Sequence, residues 1–183
     1  MSSISPREVR LKSGQVALIH NANISDARHF VDILRAVARE GEYTLAEADE
    51  VDWTIQGKQQ DIVAALDNPG YLDLVAEIDG KVVGYLEFEN GNRRRTQHSG
   101  MLSIFVRKAW RDQGIGAALI GTLLDWAQAS TLIEKVTLAV FSTNVRAIAL
   151  YEKMGFQVEG RCPHDMKIGH EYVDSVLMYM FVK

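Results

Sequence analysis

Apolar residues recur along this chain at two spacings, and the switches between them predict its elements. Gln15 to His20 is a short apolar, β-prone run. From Asp26 to Glu40 the apolar positions Phe30, Ile33, Leu34, Val37 and Ala38 follow helical spacing, behind Ser25 as the expected N-cap. Thr54 is placed to cap a second helix carrying Ile62, Val63 and Leu66, which Asn68-Pro69-Gly70 stops. Tyr71 to Ile78 and Lys81 to Phe88 flank Asp79-Gly80, the strongest short hairpin signal in the chain. Glu89 to His98 joins the next hairpin, before a strand from about Gly100 to Val106.

Ile115, Leu119, Leu123 and Trp126 mark a third helix. Val136 to Phe141 reads as a strand buried on both faces. Ser142-Thr143-Asn144 supplies cap residues for a helix ending at Met154-Gly155. Phe156 to Glu159 and Tyr172 to Val182 complete a strand pair, joined by an irregular connection through Cys162-Pro163 and Gly169. The predicted order is β-α-α-β-β-β-α-β-α-β-β, an α/β (α+β) arrangement of about seven strands and four helices.

Composition adds bounds. With 183 residues, 47% of them hydrophobic and 24% charged, the chain suits one domain over 1–183 with a substantial core. A net charge of −4 gives no support for nucleic-acid binding, which usually shows a basic face. The polar start from Met1 to Pro6 lacks a signal-peptide core, and no stretch approaches the roughly 20 apolar residues of a membrane span. The single Cys162 cannot form an intrachain disulfide, so a reducing, cytoplasmic setting is expected, with no membrane partner.

The chemistry concentrates between Ser103 and Leu119, where an apolar strand runs into a basic, glycine-bearing loop that opens a helix. Gly114 and Gly116 let the backbone turn tightly, and the following helix starts with unpaired N–H donors and the positive end of its dipole. Arg107, Lys108 and Arg111 add positive charge, so the loop is a phosphate cradle. Two familiar designs do not fit it. No Gly-x-x-x-x-Gly-Lys-Ser/Thr segment occurs. The dinucleotide fingerprint fails because Leu119 stands where the third glycine belongs.

Arg111-x-x-Gly114-x-Gly116 does fit the signature Gln/Arg-x-x-Gly-x-Gly/Ala. Downstream stand Val136 to Phe141 and then Asn144-x-x-Ala147-x-x-x-Tyr151-x-x-x-Gly155-Phe156. On these two motifs, in this order, the chain resembles the GNAT superfamily of acyl-coenzyme-A-dependent N-acetyltransferases. The resemblance covers nearly the whole chain. It implies a mixed central sheet whose fourth and fifth strands splay apart, flanked by four helices. It further implies acetyl-coenzyme A as co-substrate, with its pyrophosphate on the amides of Arg111, Asp112, Gln113, Gly114, Ile115 and Gly116. Its pantetheine arm would lie along the backbone near Phe105 and Val106, against Asn144, Ala147 and Tyr151. The C-terminal run from Gly169 to Met178 is similar to the tails of members acting on amino acids, small amines or protein N-termini.

Acyl transfer from a thioester to an amine needs a neutral amine, a donor for the developing oxyanion and a proton for the departing thiolate. Asn144 and Tyr151 are seven residues apart and share a helix face. The resemblance assigns Asn144 to the pantetheine and makes Tyr151 the acid that protonates the sulfur. Glu87, Glu89, His98 or water are the candidates for the base. The run Arg93-Arg94-Arg95 is either a solvated loop tip or a basic rim, and the acidic segment from Glu42 to Glu50 either a solvated loop or a meeting point for an amine. Cys162, His164 and His170 lack a clear fourth ligand, and no metal is expected. The expected partner is a small-molecule or peptide amine, with a homodimer left open as the assembly. A noncatalytic acyl-coenzyme-A-binding module and an acyltransferase with a longer acyl donor stay open as alternatives.

Overall fold

The computed structural model describes residues 3–50 and 53–183; Met1 and Ser2, the head of the polar start, lie outside them. Among the described residues, eight strands form one mixed sheet in the order β1-β2-β3-β4-β5-β6-β8-β7. They are β1 (Arg7–Arg10), β2 (Val16–Asn21), β3 (Tyr71–Ile78), β4 (Lys81–Asn90), β5 (Ser99–Val106), β6 (Lys135–Phe141), β7 (Gln157–Ile168) and β8 (Glu171–Phe181). The helices are α1 (Ala27–Glu40), α2 (Ile55–Asp67), α3 (Ile115–Ala129) and α4 (Val145–Lys153).

Two cores lie on opposite faces of this sheet. Leu72, Leu74, Leu86, Phe88, Leu102, Val136 and Leu138 pack against Leu119 and Leu123 of α3 and Tyr151 of α4. The alternate residues Val75 and Tyr85 pack against Phe30 and Ile33 of α1 and Ile62 of α2. The Asp79-Gly80 turn holds both residues at positive φ, 49° and 75°, as a two-residue hairpin of this hand requires.

Several elements differ from the sequence pattern. Arg7–Arg10 adds a strand whose mostly exposed, charged residues gave no apolar signal. Ser25 lies inside a 3₁₀ turn; Asn23 is the cap, accepting from the Ser25 N–H while Asp26 reciprocates on the Asn23 N–H. Val63 is 43% exposed and Ala65 is buried instead, because the inward face of α2 runs through Ile62 and Ala65. The strand β6 is buried on one face only: Val136, Leu138 and Val140 are covered while Ala139 is exposed. The irregular connection near Cys162 is strand, for β7 continues to Ile168 with register shifts between Val158 and Gly160 and between Cys162 and Met166. Bulges let β7 keep its pairing with β8 through residues that look like loop.

The parallel strands β5 and β6 pair only at Ser99, Gly100 and Met101, opposite Lys135, Val136 and Thr137. Beyond Met101 they diverge, which is the expected splay.

Candidate active site

The loop after β5 becomes a donor cradle only at its end, where it opens α3; before that the Arg111 N–H, expected to hold phosphate, donates to the Lys108 carbonyl at 3.3 Å. Gly114 caps α3 at φ 102° with no side-chain cap bond, and Asp112 also sits at positive φ, 64°. Ala118 donates to the Gly114 carbonyl, the first bond of the helix. The N–H groups of Gln113, Gly114, Ile115, Gly116 and Ala117 find no acceptor among the described residues. Unclaimed donors in a row at a helix N-terminus suit a pyrophosphate. A Cβ on Gly114 would meet no atom within 4 Å, so its side is open to a ligand. Gly116 has a different reason to be glycine: a Cβ there would lie 3.1 Å from Leu150 Cδ2, so α4 packs directly on the first turn of α3.

Side chains of the cradle are occupied elsewhere. The Arg111 guanidinium grips Glu40 with two bonds and donates from Nε to the Val106 carbonyl at 3.0 Å. Asp112 pairs with Arg146 at 2.9 Å, and Gln113 Nε2 donates to the Ala109 carbonyl at 3.3 Å. The cradle's chemistry is therefore carried by its backbone.

Along the gap, peptide groups alternate in direction. Arg107 donates to the Val83 carbonyl, so the odd residues of β5 turn their polar groups to β4. Ile104 and Val106 turn their peptide groups to the gap side, where the Val106 carbonyl already accepts from Arg111 Nε, and Phe105 faces away. The Phe105 ring instead packs on Tyr85, centroids 5.4 Å apart, which in turn lies 4.1 Å from Phe30.

On the far wall of the gap, Asn144 caps α4, its Oδ1 accepting from the Ala147 N–H at 3.2 Å. Tyr151 is 7% exposed and meets Phe156 edge to face at 6.0 Å. Burial pushes its phenol up to about 12, so it stays protonated at any working pH. No hydrogen bond among the described residues engages its hydroxyl, which leaves the proton available.

The opposite face of the sheet opens beside α2. An open cleft of about 500 Å³ is lined by Glu87 and Glu89 of β4, Met101 and Ser103 of β5, and Thr137 of β6. Register explains the set: Glu87 pairs Ser103, Glu89 pairs Met101, and Met101 pairs Thr137, so all five share a face. His98 is outside it; its carbonyl anchors the Glu134 and Lys135 N–H groups from an exposed loop. The Arg93–Arg95 run is an exposed turn. Among the described residues no group of three or more His, Cys, Asp or Glu is arranged to hold a metal ion, and no helix is long and apolar enough to cross a membrane.

Sequence reasoning missed the residues behind the cleft. Lys58 of α2 reaches across to Glu87 and lies 3.9 Å from Asp73 and 4.7 Å from the centre of the Phe30 ring. Burial opposes the Lys58 charge, but Glu87 and Asp73 outweigh it and hold the ammonium above its usual range. Burial also pushes Asp73 up to about 7, against the pull of Lys58. The two shifts conflict as an ion pair, and distance decides between them: Lys58 belongs to Glu87, and Asp73 is the looser neighbour. The available signal was spacing, since Lys58, Ile62 and Ala65 fall at i, i+4 and i+7 on one helix face.

The sequence profile of the Acetyltransferase (GNAT) family matches residues 31–156. The L-amino acid N-acetyltransferase AaaT of Escherichia coli strain K12 is 35% identical over 112 residues, 61% of this chain and 69% of that protein. An acetyltransferase of the GNAT family from Streptococcus pneumoniae superposes with a TM-score of 0.86 at 28% identity, over 91% of this chain and 99% of its own. The fold is shared as well with yncA of Salmonella typhimurium, solved with its cofactor acetyl-CoA, at a TM-score of 0.81 and 22% identity over 90% and 93% of the two chains.

Proposed function

This chain belongs to the GNAT family of acetyl-coenzyme-A-dependent acetyltransferases, and we propose that it passes the acetyl group directly to a primary amine held over the Glu87 and Glu89 cleft. The observation that carries this reading is the row of five unclaimed N–H groups from Gln113 to Ala117, at the mouth of the gap between β5 and β6. A pyrophosphate on those donors directs the rest of acetyl-coenzyme A into the gap, where the Ile104 peptide groups and the Val106 N–H supply strand-like hydrogen bonds. The same backbone polarises the thioester carbonyl and stabilises the oxyanion as it forms.

Tyr151 protonates the departing thiolate. A thiol titrates near 8.5 and this phenol near 12, so the transfer follows the growth of negative charge on sulfur and is not a resting equilibrium. Glu87 and Glu89 attract the protonated amine, and Glu87, directly or through water, takes the proton that makes it nucleophilic. The acceptor class is an amino acid, a small amine or a peptide N-terminus; the relation to an L-amino acid acetyltransferase favours the first.

Purified protein with acetyl-coenzyme A should release free thiol in the presence of one amine class from a panel of L-amino acids, polyamines, aminoglycosides and N-terminal peptides. Tight acetyl-coenzyme A binding with no thiol release across the panel would leave a binding module in place of an enzyme. Thiol release only with longer acyl donors would move the assignment to that class.

A further inference from the structure

We infer that Lys58 is a positioning residue for the reaction, fixing the Glu87 carboxylate at the edge of the acceptor cleft. This rests on the reading of Glu87 as the group that deprotonates the acceptor.

The position is an unusual one for a lysine. Its side chain is only 10% exposed, on the face of α2 that also carries the buried Ile62 and Ala65. A leucine or methionine there would cover Phe30 and extend the core, and replacing a buried ion pair by packed apolar residues is commonly neutral or stabilising. What the ammonium adds is direction. Lys58 Nζ donates to Glu87 Oε1, with the Phe30 ring 4.7 Å away and Asp73 on its other flank at 3.9 Å. With Oε1 held from the helix side, Oε2 is the oxygen left for the cleft. The chain also closes off alternatives for Glu87: on β4 its neighbours on this face are Tyr85, fully buried, and Glu89, a like charge.

Lys58 also balances charge. Asp61 from α2, Asp73 from β3 and Glu87 and Glu89 from β4 all act on this corner, and Lys58 is the cation set among them. Without it, crowded carboxylates favour a shared proton, and a carboxyl that holds a proton cannot accept one from an amine.

The test uses full-length protein and the panel amine with the highest kcat/KM. Lys58→Met should lower kcat/KM by about ten- to a hundredfold, less than the 10²–10⁴ that loss of the base itself costs. The acidic limb of its pH profile should move up by about one unit or more, as expected when a neighbouring opposite charge is removed. Lys58→Arg keeps the charge and should restore most of the rate and the position of the limb. Adding Glu87→Gln to Lys58→Met should cost little beyond Glu87→Gln alone, because the lysine acts through that carboxylate. A thermal melt accompanies each variant, and acetyl-coenzyme A affinity should be unchanged in all of them.

If Lys58→Met lowers the melting temperature but leaves the pH profile in place, Lys58 is a structural ion-pair residue and the inference fails. If Glu87→Gln itself leaves the rate and profile intact, it is the parent reading of Glu87 that falls, and this inference falls with it. Silence of every amine in the panel has the same result.

Discussion

Arg111 and Glu40 are joined by two parallel hydrogen bonds, Nη1 to Oε2 at 2.6 Å and Nη2 to Oε1 at 2.9 Å, which tie the last residue of α1 to the loop that opens α3. The guanidinium that looks in sequence like a phosphate ligand is spent on holding the cradle in place. A planar guanidinium is suited to this two-point grip, and the pair is mostly buried, with 18% and 19% of the side chains exposed.

Glu40→Gln breaks the charge and half of that grip. It should cost about 2 kcal/mol, a drop of about 4–8 °C in melting temperature for a chain of this size. Acetyl-coenzyme A affinity at a temperature where the variant is folded should change little, because the donors are main-chain. A stable variant with sharply altered affinity would mean instead that the guanidinium itself reaches the phosphates.

Gly114→Asp attacks the donors directly. The position is at φ 102°, which an L residue adopts only under strain, and a side chain would project into open space where a phosphate would lie. Acetyl-coenzyme A binding, measured by calorimetry on protein shown to be folded, should be abolished. Gly114→Ala should bind in between, since it carries the strain without the negative charge.

How much of this was legible in sequence follows from distance along the chain. The cradle, the Asp79-Gly80 turn and the Thr54 cap are local events, decided by residues within a few positions of one another, and the pattern Asn144-x-x-Ala147-x-x-x-Tyr151 is one helix. Glu87 and Glu89 could be proposed from sequence, but their choice over His98 depended on the β4–β5 register, which puts Glu87 opposite Ser103. The inward position of Lys58 follows from helical spacing, but its pairing with Glu87 does not, because the two meet across 29 residues and only through the seating of α2 on the sheet. The role of Arg111 was misleading for a similar reason, its partner lying 71 residues away. Phe105 and Ile104 differ by a single step, and a one-residue step along a strand exchanges gap for neighbour.

Asn144→Ala removes a helix cap as well as an amide at the edge of the gap. Loss of the bond to the Ala147 N–H should cost about 1 kcal/mol of stability. No hydrogen bond among the described residues uses the Asn144 Nδ2 amide, which can donate to an arm lying in the gap, so acetyl-coenzyme A affinity should fall as well. Asn144→Asp separates the two roles: it keeps the cap, so stability should recover while affinity does not. Recovery of both would make capping the whole contribution of this residue.

Asp73 makes stability depend on pH in an unusual direction. Its folded value of about 7 lies above the ordinary 3.8, so between these the folded protein holds a proton that the unfolded chain has released. Stability from this group is greatest below about pH 4, declines as pH rises, and reaches its floor above about pH 7. Asp73→Asn keeps the shape and removes the titration. Its melting temperature minus that of the parent should therefore grow from pH 4.5 to 7 and then level off. A difference that is flat across this range would place the Asp73 carboxyl in an ordinary, ionised state.

Tyr151→Phe tests the proposed donation of a proton to the departing thiolate. The ring sits in the core against Phe156, so the phenylalanine should pack as well or better and the melting temperature should hold or rise slightly. Acetyl-coenzyme A affinity should stay near that of the parent. Turnover should fall by about 10²–10⁴ if the phenol protonates the thiolate, with kcat and kcat/KM falling together. With the phenol held near 12, the parent's pH profile should show no basic limb from Tyr151 below pH 10, so any such limb in that range must persist in the variant. Acyl donors whose leaving thiol is more acidic need less help, and the deficit of Tyr151→Phe should shrink with them. A variant that turns over normally under conditions where chemistry is rate-limiting would reduce Tyr151 to a packing residue and give the proton to water.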